Sequence, residues 1–117
     1  MGSGRVGASI AFLCMSNAVD DVLLVNRNED KAIGLSLDIS NAIPDTSKFS
    51  IRGTSDYSKL SDSDIVVISA SMGEYLKDRT ENMVSQITMI KEVAEKIKHN
   101  CPSAIILLIS NPLDVLT

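Results

Sequence analysis

The sequence has no long apolar run, no basic cluster, and few glycine or proline residues. Its longest apolar run, residues 104–109, has six residues, whereas a membrane-spanning helix needs about 20. No run of Lys or Arg exceeds two residues and the formal net charge is −4, so the basic stripe needed for non-specific nucleic-acid binding is absent. Six Gly and three Pro exclude a collagen-like or low-complexity chain.

Residues that bind metals or form disulfides are equally scarce. Cys14 and Cys101 are far apart and outside any metal-ligand spacing, so we expect two reduced thiols, no metal site and a cytoplasmic protein. His99, the single histidine, stands between Lys98 and Asn100. We interpret it as a solvated residue at the end of a helix and not as a catalytic base.

The residues that are present predict one α/β domain. The chain has 117 residues, of which 44% are hydrophobic and 22% charged, as in an average globular domain. Apolar strand-like runs alternate with helical patterns, which predicts a parallel sheet with helices on both faces and strands that are buried. The predicted helices are 6–17, 30–43 and 80–99, the strands 22–25, 49–54, 65–68 and 104–109, with a helical turn at 56–60.

A glycine motif, GSGRVG at positions 2–7, opens the first predicted helix. In the pattern G-x-G-x-x-G the first glycine allows a tight turn and the second lets a pyrophosphate approach the backbone. The third lets the helix pack close to the sheet. The motif predicts a dinucleotide-binding loop, with a glycine-rich loop or tag of no function as the alternative. A strand should precede this loop, yet the motif begins at residue 2, so the sheet lacks its expected first strand.

The end of the strand 22–25 indicates which cofactor the loop serves. NAD-binding domains carry an acidic residue there that binds the ribose 2′-hydroxyl, whereas this chain has Asn26 and Arg27. Arg27 can bind a 2′-phosphate through a charge-assisted pair, which favours NADP over NAD. The alternative is a solvated loop arginine paired with Glu29 or Asp30.

These segments together resemble the cofactor-binding domain of the lactate/malate dehydrogenase family over nearly the whole chain. The matching segments are GSGRVG at 2–7, GLSLDI at 34–39, GTSDY at 53–57, DSDIVVISA at 62–70 and ISNPLDVLT at 109–117. The last is the most specific. The Asn26-Arg27 pair is similar to that of the NADP-accepting archaeal-type malate dehydrogenases. The resemblance implies a Rossmann-type doubly wound parallel sheet.

The resemblance also implies site residues. Arg79 would polarise the substrate carbonyl as a catalytic and substrate-binding residue, and Asn111 would contact both substrate and nicotinamide. The residues implied in cofactor binding are Gly2, Gly4, Arg5, Val6, Gly7, Asn26, Arg27, Ser69, Ala70, Ser71 and Asn111. The family's catalytic histidine and its aspartate would follow residue 117.

The loop 71–79 departs from the family pattern. It is one residue shorter, and Glu74 or Tyr75 stands near the place of the arginine that binds the distal carboxylate of malate. The family's asparagine on the following helix is replaced by Gln86. Malate/oxaloacetate remains the first expectation for the substrate, but the sequence leaves open which 2-hydroxy acid is used.

We therefore expect residues 1–117 to be a dinucleotide-binding domain that is incomplete at both ends and inactive alone. The full-length protein would transfer a hydride between NAD or NADP and a small 2-hydroxy or 2-keto acid, and would form a dimer or tetramer without nucleic-acid or membrane partners. The alternative is a non-catalytic regulatory module that binds NADP(H). A weaker alternative, an NAD-dependent glycoside hydrolase, disagrees with Arg79 and the NPLD segment.

Overall fold

The structure, a computed structural model, contains three α-helices and four short parallel strands among the residues it describes. It describes residues 2, 4–70 and 79–110, with the side chains of 79 and 80 excepted. The elements in chain order are α1 (Arg5–Ser16), β1 (Val22–Val25), α2 (Glu29–Ala42), β2 (Ile51–Thr54), a 3-10 helix (Tyr57–Asp62), β3 (Ile65–Ile68), α3 (Arg79–Asn100) and β4 (Ile105–Leu108).

The strands form two separate two-stranded parallel sheets within the described part of the chain. In one sheet β1 pairs with β2, with Val22 opposite Ile51 and Val25 opposite Thr54. In the other, β3 pairs with β4. Among the described residues β1 pairs with no strand other than β2, and β3 with none other than β4.

Two hydrophobic clusters hold the helices on the sheets. Val25 of β1, Val66 and Ile68 of β3, and Ile90 and Ile97 of α3 belong to one cluster, so both sheets share a core with α3. A second cluster covers the other face of β1 and β2 with α1 and α2; its buried members are Ala11, Met15, Leu24, Ile39 and Ile51. The helices therefore lie on both faces, as the sequence predicts, and the fold is of the α/β Rossmann type.

The expectation that every strand is buried is wrong for β4. Its residue Ile105 is 63% exposed, and the paired residue Ile65 of β3 is 56% exposed. Paired residues of a parallel sheet point to the same face, and α3 packs on the face that carries Val66 and Ile68. Ile106, which pairs with Val66 on that face, is still 49% exposed, so α3 covers β3 but not β4. The other face of this sheet has no helix over it among the described residues.

Several other expectations can be compared directly with the described residues. The strands 22–25 and 65–68 are confirmed with the predicted bounds, and each helix lies within one residue of its predicted bounds. Cys14 and Cys101 are both unpaired. None of the described helices is long and apolar enough to cross a membrane.

The backbones of β2 and α2 are in close contact at Gly53. A Cβ atom at Gly53 would overlap the backbone carbonyl of Ala32 in α2 and lie 2.6 Å from the amide nitrogen of Ile33. Because both obstacles are backbone, Gly53→Ala has to push α2 off β2. We expect it to lower the free energy of unfolding by about 1–3 kcal/mol or more, measured by urea denaturation followed by circular dichroism.

Gly34→Ala is the matched control. Gly34 lies inside α2, and a Cβ atom there meets nothing within 4 Å. The same substitution should raise stability by about 0.5–1 kcal/mol, because alanine is the better helix former. Equal effects of the two substitutions would contradict the close packing at Gly53.

Candidate functional site

The candidate site lies where the strands of both sheets end. Asn26 and Arg27 follow β1, Ser69 and Ala70 follow β3, and Ser110 lies two residues after the end of β4. The strands are parallel within each sheet, and Gly2 contacts both Val25 at the end of β1 and Ser69 after β3, so the carboxyl ends of the two sheets meet. In open α/β sheets, ligands bind outside the carboxyl ends of the strands, at the point where the strand order reverses.

Gly2 joins the two sheets at that edge. Its amide N–H donates to the carbonyl oxygen of Val25 at 3.1 Å, and its carbonyl oxygen accepts from the Ser69 hydroxyl at 3.1 Å. Its φ of +93° is one that residues with side chains rarely adopt. A Cβ atom there would also lie 2.9 Å from the Cα and amide nitrogen of Ala70, so only glycine fits between the strand ends.

The other two glycines of the motif differ in what surrounds them. A Cβ atom on Gly7 would overlap the carbonyl oxygen of Gly2 and lie 2.8 Å from the Ser69 hydroxyl oxygen, whereas one on Gly4 would meet nothing within 4 Å. Gly7 is thus required by packing inside the protein. The backbone at Gly4 faces open space, which leaves room for a ligand.

The first turn of α1 beside Gly4 suits an anion. Gly4, the N-cap residue, has no side chain to cap the helix, and the first turn holds no acidic residue. By contrast, the Asn28 side chain caps α2 by accepting a hydrogen bond from the amide N–H of Lys31. The first turn of α2 also holds two acidic residues, Glu29 and Asp30. Helix N-termini carry a partial positive charge and outward-pointing N–H groups. Arg5 and Val6 stand exposed in this turn, close to where the sequence analysis expects the pyrophosphate.

Asn26 and Arg27 lie next to the 3-10 helix. The Asn26 side-chain oxygen accepts from the amide N–H of Asn28 at 2.8 Å, so it is already engaged in the local turn. Arg27 is exposed and makes no ion pair with Glu29 or Asp30 within the described residues.

Half-buried Tyr57 lies near the charged side chains of Arg27 and Lys96. Burial raises the pKa of Tyr57, while the charge of Arg27 opposes that shift and Glu92 adds to it. The Lys96 ammonium lies 4.4 Å from the centre of the Tyr57 ring, a cation–π distance. Tyr57 thus lies near two cations, Arg27 and Lys96, and one anion, Glu92.

Two buried polar residues also belong to the site. Gln86 of α3 is 7% exposed and Ser110 is 6% exposed, and both donate to the carbonyl oxygen of Ala70. The family resemblance marks Gln86 only as a replacement for an asparagine, and no motif marks Ser110. The sequence does contain one sign that Gln86 is buried, because it lies four residues before Ile90 and so on the same face of α3.

Three of the predicted site residues cannot be compared with the structure. Ser71 and Asn111 lie outside the described residues, and Arg79 is the first residue of α3 with its side chain outside them. His99 is exposed in the last turn of α3, thirteen residues beyond Gln86 and so about 20 Å along the helix. That position agrees with the interpretation of His99 as a solvated residue. The described residues contain no group of three potential metal ligands.

Comparisons with known proteins give consistent results. A family model described as the NAD binding domain of lactate/malate dehydrogenase matches residues 1–117. The malate dehydrogenase of Archaeoglobus fulgidus is 38% identical over 100% of this chain and 41% of its own length. That of Francisella tularensis subsp. novicida is 32% identical over 99% of this chain and 37% of its own length. The chain therefore spans about two fifths of these curated relatives.

Solved structures agree in fold. The Archaeoglobus fulgidus malate dehydrogenase in complex with NADH superposes with a TM-score of 0.90 at 37% identity, covering 99% of this chain and 40% of that one. The lactate dehydrogenase of Cryptosporidium parvum, complexed with lactic acid and nicotinamide adenine dinucleotide, also has a TM-score of 0.90 at 37% identity. It covers 98% of this chain and 37% of that one.

Gly7→Ala tests the packing of the glycine motif. The new methyl group would overlap the Gly2 carbonyl, so we expect a loss of about 1–3 kcal/mol or more in the free energy of unfolding, measured by urea denaturation. The control is Ala8→Gly, one residue further along α1, which removes a methyl group and should cost only about 1 kcal/mol. A Gly7→Ala variant as stable as the wild type would show that α1 does not contact Gly2 in this way.

Proposed function

Since this chain belongs to the lactate/malate dehydrogenase NAD-binding-domain family, we propose that it is the cofactor-binding part of an NAD(P)-dependent 2-hydroxy acid dehydrogenase. The observation that carries the proposal is the loop at Gly2, Gly4 and Gly7, held at the ends of β1 and β3 with open space only at Gly4. The relatives in the comparison are malate and lactate dehydrogenases, which favours this reading over a regulatory module without chemistry.

The residues present fit a dinucleotide. A pyrophosphate needs backbone N–H donors and close approach, and the uncapped first turn of α1 beside Gly4 offers both. Arg5 adds an exposed positive charge in the same turn. When bound, the nicotinamide ring supplies the hydride acceptor or donor. The part of this chain is to bind the dinucleotide and to set its orientation over the strand ends.

The proposed reaction of the full-length protein converts a 2-hydroxy acid and NAD(P)⁺ into a 2-keto acid, NAD(P)H and a proton. We assign carbonyl polarisation to Arg79 and substrate contact to Asn111, on the strength of the family resemblance. Ser69, Ala70 and Ser71 would lie beneath the cofactor. Malate/oxaloacetate is the first substrate to test and lactate/pyruvate the second, because relatives of both kinds match the chain.

We also propose that the chain accepts NADP. The two residues directly after β1 are Asn26 and exposed Arg27, where NAD-binding domains carry an acidic residue that would repel a 2′-phosphate. The ring contact of Lys96 with Tyr57 adds a second cation near this position. A 2′-phosphate would pair with the guanidinium of Arg27.

We also propose that the full-length protein is cytoplasmic and forms a dimer or tetramer. Two unpaired cysteines support a reducing, cytoplasmic compartment. The apolar side chains exposed on β3 and β4 support burial of that face by further protein, whether a substrate domain or another subunit of a dimer or tetramer. Size measurement of the full-length protein by light scattering would test the assembly.

Cofactor binding is tested by titrating NADH into the chain and following nicotinamide fluorescence, with a thermal melt as the check of folding. The wild type should bind, and Gly4→Ala should weaken binding at least about tenfold, because its methyl group occupies the space left for the pyrophosphate. Its stability should change by no more than about 1 kcal/mol, since nothing lies within 4 Å of the new Cβ atom. Gly34→Ala, in α2, should leave the affinity unchanged. A folded wild-type chain that binds no NADH would refute the proposal.

Cofactor choice is tested by the ratio of the NADPH and NADH dissociation constants at matched ionic strength. Arg27→Asp should weaken NADPH binding about tenfold or more, through loss of the charge-assisted pair and new repulsion. NADH affinity should change little. Arg52→Asp, an equal change of charge at an exposed position of β2, is the control. An equal loss of NADPH affinity in both variants would leave Arg27 without a specific role.

A further inference from the structure

Gln86 is a polar residue on the buried stripe of α3. It is 7% exposed, and Ile90, Val93 and Ile97 continue the same stripe at 6%, 7% and 1%. Their spacing of four, three and four residues places them on one face of the helix. A buried amide destabilises a protein unless its hydrogen bonds are made. Its presence on this stripe therefore points to a specific partner.

That partner is the carbonyl oxygen of Ala70. The Gln86 Nε2 atom donates to it at 3.0 Å. The Ser110 hydroxyl donates to the same oxygen at 2.7 Å and lies 3.5 Å from the carbonyl oxygen of Ile68. One carbonyl oxygen thus accepts from α3 and from the segment after β4, which uses both of its lone pairs. Two buried side chains from two elements fix the direction of this one peptide group.

The other side of the Ala70 backbone, at its Cα and amide nitrogen, lies against the glycine loop. A Cβ atom on Gly2 would be 2.9 Å from both the Cα and the amide nitrogen of Ala70, so the two backbones are in direct contact. The preceding residue, Ser69, donates its hydroxyl to the Gly2 carbonyl oxygen. A shift of Ala70 would therefore move Gly2, and with it the loop that leads to Gly4.

We infer that Gln86 and Ser110 are positioning residues that, by fixing the Ala70 carbonyl, hold the Ala70 backbone against Gly2 and so set the affinity of the glycine loop for a nicotinamide dinucleotide. The inference rests on the proposed function, because the ligand is the one proposed for that loop. Neither side chain is required to touch the ligand. Both act through the backbone of Ala70.

The experiment compares Gln86→Met and Gln86→Glu with the wild type in NADH titrations of the whole chain. Methionine fills a volume similar to glutamine without donating a hydrogen bond, and an ionised glutamate places a second oxygen against the Ala70 carbonyl. We expect NADH affinity to fall about three- to tenfold in Gln86→Met and further in Gln86→Glu. Thr88→Ala removes an exposed hydroxyl that bonds only within α3 and should leave the affinity unchanged.

Ser110 provides the second, independent arm. Ser110→Ala should weaken NADH binding, whereas Ser110→Thr, which keeps the hydroxyl, should restore it. Combining Ser110→Ala with Gln86→Met should give a loss that differs from the sum of the single losses, because the two donors share one acceptor. These arms also test the inference if the Gln86 variants fail to fold.

The measurements separate positioning from structural support. A residue that only stabilises the fold changes the melting temperature and the number of binding sites, but not the dissociation constant of the folded fraction. Wild-type affinity in Gln86→Met, Gln86→Glu and Ser110→Ala, with normal binding by the wild type, would overturn the inference and leave the proposed function intact. A folded wild type that does not bind NADH would overturn the proposed function itself.

Discussion

The contact of Gly2 with the ends of β1 and β3 is the constraint on which the site depends. The two sheets share no strand-to-strand hydrogen bond among the described residues, and Gly2 bonds to Val25 on one side and to Ser69 on the other. Two backbones meet at this point with no room for a Cβ atom. The start of α1 is therefore set by where the strands end, and its uncapped first turn faces outward from the carboxyl edge of both sheets.

The same contact explains why polar groups are buried near the site. The Cα and amide nitrogen of Ala70 have to hold their place against Gly2, and an apolar neighbour cannot orient the carbonyl that follows them. Gln86 and Ser110 supply that orientation through two hydrogen bonds to one oxygen. The described residues leave no buried side-chain polar atom without a partner, so the cost of burying these groups is offset by the bonds they make.

The apolar face of β3 and β4 shows how a local pattern and the tertiary environment can disagree. The runs IVVI and IILL predict strands that are covered on both sides, and both strands form. Burial, however, requires a second element over each face. Among the described residues α3 covers one face of β3, while β4 is exposed on both faces, at Ile105 and at Ile106. The curated relatives are more than twice as long as this chain, which agrees with a face that further protein would cover.

The sequence by itself determined the order and type of nearly every element, since apolar runs and helical stripes are local patterns set by backbone geometry. It also determined the glycine motif and the family, because G-x-G-x-x-G and the segment after β4 are read along the chain. Only the tertiary structure decided that Gly7 is required by packing while Gly4 faces open space, although the two are the same residue. It alone brought Gln86, Ser110 and Ala70 together across 40 positions, because contacts between distant segments depend on how the elements pack.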